Sequence, residues 1–269
     1  MSPAKKRFSF VLLIFPALLI YLFVMILPLL VSLGASFSGP SVTGGRAVFA
    51  GLAHYRALFA SPAFWGALKN NAVLAAVSVF VQIPLGFFTA YLLSRRFERS
   101  APFFCGLFFF PAVLSPVLTG LLGRFALPGV MFSHPLLPVL VITSWAHTGF
   151  FTAVFLVNLR RIDESVLEAA RIDGAGEGTI LFSILLPAQK RVILICSLLA
   201  LVFSLRSFDS GRAFSGGAGL FSDYLYSAAF GKGPERFLAA PLASLLALAS
   251  IILMILLNRA ARRPRGYRS

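Results

Sequence analysis

The stretch EAARIDGAGEGTILFSILLP, from Glu168 to Pro187, is polar and punctuated by glycines, although most of the chain around it is apolar. Its first eleven positions hold four charged residues and three glycines. The wider segment from Arg160 to Arg191 holds ten charged residues. Because each charge would cost roughly 2.5–3.5 kcal/mol near the centre of a bilayer, residues 160–190 are expected to form a cytoplasmic loop.

Local patterns predict two short helices within this loop. Ser165 and Glu168 have the S-x-x-E spacing of a capping box, which predicts a helix that begins at Ser165. Gly174 stands where a left-handed C-terminal cap belongs. Pro187 cannot continue a helical hydrogen-bond ladder and is expected to redirect the chain. The second helix has one apolar stripe, formed by Ile180, Leu181, Ile184 and Leu185.

This helical pair allows two interpretations from the residues alone. In the first it is a connector, and Glu168 only caps a helix. In the second it docks into the groove of a partner, because small alanines permit close approach and the apolar stripe supplies buried area. The sequence pattern leaves both interpretations open.

The composition of the whole chain indicates a membrane protein. Of its 269 residues, 58% are hydrophobic, 29 are Phe and only 12% are charged. A soluble domain of this size has about 25% charged residues. The length leaves no room for a large soluble domain, so we predict one membrane domain over residues 1–269.

Charge-free runs locate the spans, because about 20 apolar residues cross the hydrocarbon as a helix. Val192–Leu205 is shorter, and it spans only if the basic residues at its ends reach the interface or face protein. It is accepted as a sixth span because both termini then lie on one side. The five longer runs are Phe8–Gly45, Asn70–Ser94, Ser100–Gly123, Phe125–Leu159 and Phe237–Asn258.

The basic residues support this topology. With both termini inside, sixteen Lys and Arg face the cytoplasm and eight face outside, as the positive-inside rule requires. The net charge of +15 is therefore a topology signal and argues against nucleic-acid binding. The apolar run after Lys5, Lys6 and Arg7 is too long for a cleaved signal peptide, so it is interpreted as the first span.

Known catalytic and cofactor patterns are missing from the sequence. No G-x-x-x-x-G-K-[ST] motif for binding ATP is present. The three histidines lie far apart without metal-ligand spacing, and Cys105 and Cys196 are interpreted as buried small side chains. Neither a cofactor nor a metal is predicted, and the energy for any transport must come from a partner.

Several segments resemble a known family. Glu168-Ala169-Ala170, Gly174, Ile184 and Leu186-Pro187 match the EAA motif of binding-protein-dependent ABC import permeases at every spacing. The resemblance to the maltose-type sugar permeases extends over nearly the whole chain, through segments Gly51–Asn71, Phe108–Leu122, Ser144–Phe150 and Ser207–Gly219.

The resemblance implies an all-α, six-span permease of the type I ABC importer fold in a bacterial or archaeal cytoplasmic membrane. Its expected partners are a second permease subunit, an ATPase dimer and an extracytoplasmic solute-binding protein. The loop would seat in the ATPase subunit and couple ATP binding to the spans. The residues implied in this coupling are Glu168, Ala169, Ala170, Asp173, Gly174, Ile184, Leu186 and Pro187.

Polar residues within spans are costly and tend to face the interior, which makes them candidates for a solute path. Those in the predicted spans include Gln82, Ser115 and Thr119. Ser and Thr in membrane helices also often bond back to their own backbone, and His147 could be a helix–helix contact. The resemblance places sugar contacts at Thr143, Ala146, His147, Phe150, Ser204 and Ser207.

The chain departs from the family pattern at three places. Asp163 stands where the family usually has Pro, residues 216–219 read Gly-Gly-Ala-Gly, and the outer loop Arg124–His134 is short. Two other function classes compete with this interpretation. A secondary transporter driven by an ion gradient would need intramembrane Asp or Glu, and a membrane enzyme would need an acid–base pair. The predicted spans contain neither.

Overall fold

The computed structural model describes residues 14–39, 48–95, 100–126, 136–205, 207, 219–231 and 237–261. Two compact units can be distinguished, one of residues 1–62 with 225–248 and one of residues 63–224 with 249–269. They are called unit 1 and unit 2. The described residues are almost all helical, which confirms the all-α class. Two short strands, β1 (Ser38–Gly39) and β2 (Val48–Phe49), pair antiparallel in unit 1.

The helices account for the predicted spans. Their bounds are α1 (Ile14–Ser36), α2 (Ala53–Ala60), α3 (Pro62–Arg95), α4 (Ala101–Val113), α5 (Pro116–Ala126), α6 (Leu136–Leu159), α7 (Glu164–Ile172), α8 (Glu177–Ala188), α9 (Lys190–Leu205), α10 (Phe221–Phe230) and α11 (Ala239–Ala261). Four of them, α1, α3, α6 and α11, are long and apolar enough to cross a bilayer, and the bent pairs α4–α5 and α8–α9 raise the count to six when each is one span. Single π-helical turns lie within α1, α3 and α8, at Leu22–Ile26, Ser78–Gln82 and Ile180–Leu185.

The apolar length of the run Ser100–Gly123 suggested one straight helix, but the structure does not have one there. The run bends by 100° between α4 and α5. Leu114 is extended, with ψ of 147°, and the carbonyl of Ser115 accepts the Thr119 N–H at 2.9 Å in the first turn of α5. Pro116 occupies the first position of α5, where its missing N–H costs nothing. A new helix therefore begins in the middle of the apolar run.

The core of unit 2 forms around α6. This helix packs against the second half of α3 and against α4. Phe151 and Phe155 are fully buried there. Gly149 faces the backbone of α4 so closely that a Cβ would overlap the carbonyl group of Phe108. Small residues permit such close approach of helices in membranes, and the tight crossing fixes α4 relative to α6.

A buried amide of α3 joins the end of α9 and the start of α10 in unit 2. The Asn71 side chain donates to the Ser204 carbonyl at 2.7 Å and accepts the Phe221 N–H at 2.9 Å. Asn71 therefore satisfies one backbone group at the end of α9 and another at the start of α10. It ties both ends to α3.

Unit 1 holds its small ladder through side chains of α2. The Ser36 and Tyr55 hydroxyls lie 2.8 Å apart, and His54 Nε2 is 3.2 Å from the Ser38 carbonyl, to which it donates. The His54 ring also packs on Phe237, with ring centroids 5.2 Å apart. These contacts anchor β1 to the start of α2.

Candidate functional site

The loop between α6 and α9 begins with an N-cap that differs from the predicted one. Asp163 is the N-cap of α7, and its Oδ1 accepts the Ser165 N–H at 3.1 Å. The capping box at Ser165 is therefore wrong, because Ser165 already lies inside the helix. Asp163 is extended, with ψ of 128°, as an N-cap residue must be, and its carboxylate also complements the positive end of the helix dipole.

The turn at Gly174 confirms the predicted left-handed cap. Gly174 has φ of 84°, one of three glycines with positive φ among the described residues. The Gly174 N–H bonds to the Arg171 carbonyl at 3.0 Å, and the Ala175 N–H bonds to the Ala170 carbonyl at 2.9 Å. These two bonds form a Schellman motif, which ends α7 and sets the direction of α8.

The apolar stripe of α8 is not available to a partner. Ile180 and Leu185 are each 1% exposed and pack in the core of unit 2, together with Leu167 of α7. Leu181 is buried and Ile184 is partly buried in the same core. The interpretation that this stripe supplies a docking surface is therefore wrong, because the stripe packs on the chain's own core.

α8 continues slightly beyond its predicted end. Pro187 lies in the last turn, the helix ends at Ala188, and the chain bends by 64° into α9. A π-helical turn ends at Leu185, two residues before the proline, and the Leu186 N–H bonds back to the Leu181 carbonyl. Of the motif residues here, Ile184 and Leu186 pack on the core and Pro187 is partly buried.

The exposed face of the loop lies on α7. Val166, Ala169 and Ile172 recur every three residues on one side, and Ile172 is 86% exposed. We call these three residues the α7 outer face. Glu168, Asp173 and Gly174 are also exposed, and Ala170 is partly buried. An exposed isoleucine within a charged loop is a feature typical of a contact surface.

Four charged side chains and a tyrosine connect this loop to the end of α3. Arg95 Nη1 donates to Glu164 Oε1 at 2.9 Å, and Arg171 Nη2 donates to Glu177 Oε1 at 3.3 Å. The Tyr91 hydroxyl donates to Glu177 Oε2 at 2.7 Å and is the main reason that the pKa of Glu177 lies below its ordinary value; the Arg171 guanidinium lowers it further. No local sequence pattern predicts these contacts.

A second site is a cavity of about 250 Å³ inside unit 2, at the bend between α4 and α5. It is lined by five of the eight residues predicted for the solute path. The described lining also includes Phe203, Pro111 and Ile142, which no sequence pattern marks as candidates. The five predicted residues are Thr119, Thr143, Ala146, His147 and Phe150.

The ring side chains of this cavity form one cluster. His147 and Phe203 have ring centroids 5.1 Å apart, and those of Phe150 and Phe203 are 5.6 Å apart. The buried Nδ1 of His147 has no hydrogen-bond partner among the described residues. His147 is thus a helix–helix contact and a cavity residue at once, which joins the two interpretations of this side chain.

The hydroxyl groups donate to backbone carbonyls three or four residues earlier, as Ser and Thr in membrane helices often do. Thr143 donates to the Val139 carbonyl at 2.6 Å, and Thr119 donates to the Ser115 carbonyl at 3.1 Å. Ser204 and Ser207 likewise donate to the carbonyls of Leu201 and Phe203. Each hydroxyl oxygen can still accept a further hydrogen bond.

The remaining predicted residues lie elsewhere. Ser115, Ser204 and Ser207 are not among the described residues that line the cavity. Gln82 is fully buried, and its Nε2 donates to Ser144 Oγ at 3.2 Å. The Gly-rich segment 216–218 and the outer loop up to His134 lie largely outside the described residues.

Comparison with known proteins identifies the family. Residues 82–266 match the family described as binding-protein-dependent transport system inner membrane component. The chain is 28% identical to the probable ABC transporter permease YurN of Bacillus subtilis over 94% of both chains. It is also 28% identical to the lactose transport permease LacF of Rhizobium radiobacter over 93% of both, and to the glucose import permease GlcT of Saccharolobus solfataricus over 76% of both.

Solved structures show the same fold. A bacterial ABC transporter involved in the import of the acidic polysaccharide alginate superposes with a TM-score of 0.75, covering 97% of this chain and 98% of that chain at 19% identity. The MetNI methionine ABC transporter superposes with a TM-score of 0.57 over 74% of this chain. This chain therefore belongs to the binding-protein-dependent inner membrane components, the multi-pass permeases of ABC importers, in which ATP hydrolysis resides in a separate subunit.

Proposed function

We propose that this chain carries a sugar or sugar-like solute through the cavity at the α4–α5 bend. The observation that supports this most is the cavity itself, which gathers Thr119, Thr143, Ala146, His147 and Phe150 from two separate segments. The lactose and glucose permeases among its relatives agree with this substrate class. Family membership leaves no support for an ion-driven secondary transporter.

The chemistry of the cavity suits a sugar. Sugars present C–H faces that stack on aromatic rings, which Phe150 and Phe203 provide. Their hydroxyls can donate to the oxygens of Thr119 and Thr143, which use only their protons within the helix. The unpaired Nδ1 of His147 supplies one more polar group. A cavity of about 250 Å³ accommodates one sugar ring at a time.

Substitution of the cavity residues should reduce uptake. A panel of radiolabelled mono- and disaccharides, including glucose and lactose, is offered to the complex in liposomes. We expect ATP-dependent uptake of at least one sugar, and an uptake about tenfold lower in His147→Ala and Phe150→Ala, because a lost stacking or polar contact weakens binding by ~1–2 kcal/mol.

The matched control is Phe80→Ala, since Phe80 is 77% exposed on α3 and touches neither the cavity nor its rings. All three variants should co-purify normally with their partners. Uptake of no sugar on the panel would overturn the substrate class. Unchanged uptake in both cavity variants would remove these residues from the path.

We further propose that residues 1–269 act as one permease domain whose loop 160–190 binds the ATPase subunit. The complex would contain a second permease subunit, an ATPase dimer and an extracytoplasmic binding protein. In support, the related alginate transporter is known in complex with a pentasaccharide-bound periplasmic protein. Glu168, Ala169, Asp173 and Gly174, together with the α7 outer face, would contact the ATPase, whereas Ile184 and Leu186 pack on the core and Pro187 lies partly buried in the last turn of α8.

The proposed topology places both termini in the cytoplasm. A membrane-impermeant thiol reagent added outside should label a cysteine introduced at Arg46 or Gly217. It should not label one introduced at Glu177, because the charge bias puts that loop inside. The background lacks Cys105 and Cys196, and labelling after permeabilisation shows that each introduced thiol is reactive. Labelling of position 177 from outside would contradict the topology.

A further inference from the structure

The loop of residues 160–190 is called the coupling loop below, and the five side chains that connect it to α3 form a closed ring in unit 2. Starting from α3, the Tyr91 hydroxyl bonds to Glu177 of α8, and Glu177 bonds to Arg171 of α7. Arg171 Nη1 lies 3.9 Å from Glu164 Oε1 on the same helix, and Glu164 bonds to Arg95, which lies on α3 again. We call these five side chains the charged ring.

Helical spacing brings the members of the ring onto common faces. Tyr91 and Arg95 are four residues apart on α3, and Glu164 and Arg171 are seven residues apart on α7, so each pair lies on one side of its helix. Glu164 and Glu177 are the first residues of α7 and α8, and Arg171 lies in the last turn of α7. Each of these charges therefore also complements a helix dipole.

The ring crosses a gap that apolar packing leaves open. A pocket of about 1120 Å³ lies between the ends of α3 and α6 and the start of α8, and all five ring residues line it. Leu167 lies on the same face of α7, three residues after Glu164 and four before Arg171, and is fixed in the core. Leu167 anchors the middle of this face, and the ring adds an attachment at each end of the helix through Glu164 and Arg171.

Ion pairs of this kind contribute little to folding stability. The side chains of Glu164 and Glu177 are 60% and 59% exposed, and solvent screens such pairs. Arg95 is the exception, with a side chain that is only 17% exposed. A network that holds a defined geometry at little gain in stability suits positioning better than folding.

We propose that the charged ring makes α7, α8 and the cytoplasmic end of α3 one rigid body, so that a displacement of the coupling loop is passed directly to the second span. The inference rests on the proposed function of the loop as the docking site of the ATPase subunit. It assigns Tyr91, Arg95, Glu164, Arg171 and Glu177 as positioning residues, distinct from those that would touch the ATPase.

The test measures how ATP changes the cavity, which avoids the need for a known solute. A reporter thiol is introduced by Ala146→Cys in a background without Cys105 and Cys196, and the purified complex is reconstituted in liposomes. The readouts are ATP hydrolysis and the change in labelling of the reporter by an impermeant maleimide when ATP and vanadate are added. The change in labelling, divided by the rate of ATP hydrolysis, measures how well hydrolysis is coupled to the cavity.

In Arg95→Gln and Glu164→Gln, we expect normal membrane abundance, normal co-purification of the ATPase subunit and continued hydrolysis. The ATP-dependent labelling change should fall roughly fivefold, within the range by which residues between two sites modulate coupling. Arg95→Lys should retain most of the change, because the contact with Glu164 uses a single N–H and lysine can replace it. The matched control is Arg161→Gln, which removes an exposed charge without an ion pair among the described residues.

Three results would contradict the proposed role of the charged ring. One is an unchanged labelling response in both glutamine variants. Another is an equal loss in Arg95→Lys, which would mean that the shape of the side chain matters and its charge does not. The third is a loss of abundance in all ring variants, which would make the ring a folding element.

A variant of the α7 outer face, Ile172→Asp, separates this inference from the proposed function. If Ile172→Asp releases the ATPase subunit while the ring variants respond normally, only the ring is refuted. If the parent protein shows no ATP-dependent change in labelling at position 146, both the proposed function of the coupling loop and the proposed role of the charged ring are refuted.

Discussion

Gly149→Val is expected to lower the membrane abundance of the chain about tenfold. Gly149 lies where α6 crosses α4, and any Cβ there would overlap the carbonyl group of Phe108. This group belongs to the backbone and cannot rotate away as a side chain could. The two helices would have to separate, with loss of packing along the crossing. Overpacking of this kind costs ~1–3 kcal/mol or more, and such losses lower cellular abundance several-fold or further.

Gly106→Val provides the matched control, because it makes the same change on α4 at a position where a Cβ would meet nothing within 4 Å. Abundance is measured in isolated membranes, and folding by resistance to limited proteolysis. Equal abundance of the two variants would show that α4 and α6 do not cross at Gly149. A low level of both would point to intrinsic helix propensity instead of the crossing.

The bent span formed by α4 and α5 illustrates what the sequence could predict and what it could not. Charge-free runs located the spans, because hydrocarbon excludes charge wherever a span lies. They did not predict the break at Ser115, since a bend within an apolar run changes no charge. The signal was present in Ser115-Pro116, an N-cap residue followed by a proline at the first helical position.

The coupling loop shows a similar division. Gly174 could be predicted because a left-handed cap is a local requirement, and its φ of 84° confirms it. The N-cap was assigned to Ser165 although Asp163, two residues earlier, is at least as good a cap. The stripe of α8 was predicted correctly as apolar, but periodicity does not say which apolar surface a stripe meets.

The contacts that the sequence did not predict are those between distant residues. Arg95 and Glu164 are 69 positions apart, and Tyr91 and Glu177 are 86 apart, so no local pattern joins them. Phe203 of the cavity has no polar group to mark it as a candidate. By contrast, Thr143, Ala146, His147 and Phe150 were found because the resemblance supplied long-range information that a single sequence lacks. Thr119 was found because it is a polar residue within a predicted span.

Ile172→Asp is expected to release the ATPase subunit and reduce solute uptake more than tenfold. Ile172 is 86% exposed, so the change leaves the fold of this chain intact. If the ATPase buries Ile172, the variant loses ~1.5–3 kcal/mol of apolar contact and buries a charge in addition. Thr179→Asp is the control, an exposed position on α8 that is not part of the α7 outer face.

Gly174→Val tests the same coupling through the angle between α7 and α8. The residue needs φ of 84°, which a β-branched side chain resists, although a Cβ there would meet no other atom. Gly176→Val is matched to it, since Gly176 lies two residues away at φ of −70° and is equally open. Gly174→Val should therefore reach normal abundance and yet lose ATPase co-purification or uptake per ATP hydrolysed, while Gly176→Val keeps both. Equal behaviour of the two glycine variants, with Ile172→Asp also like the parent, would leave the loop as a connector and refute the proposed docking.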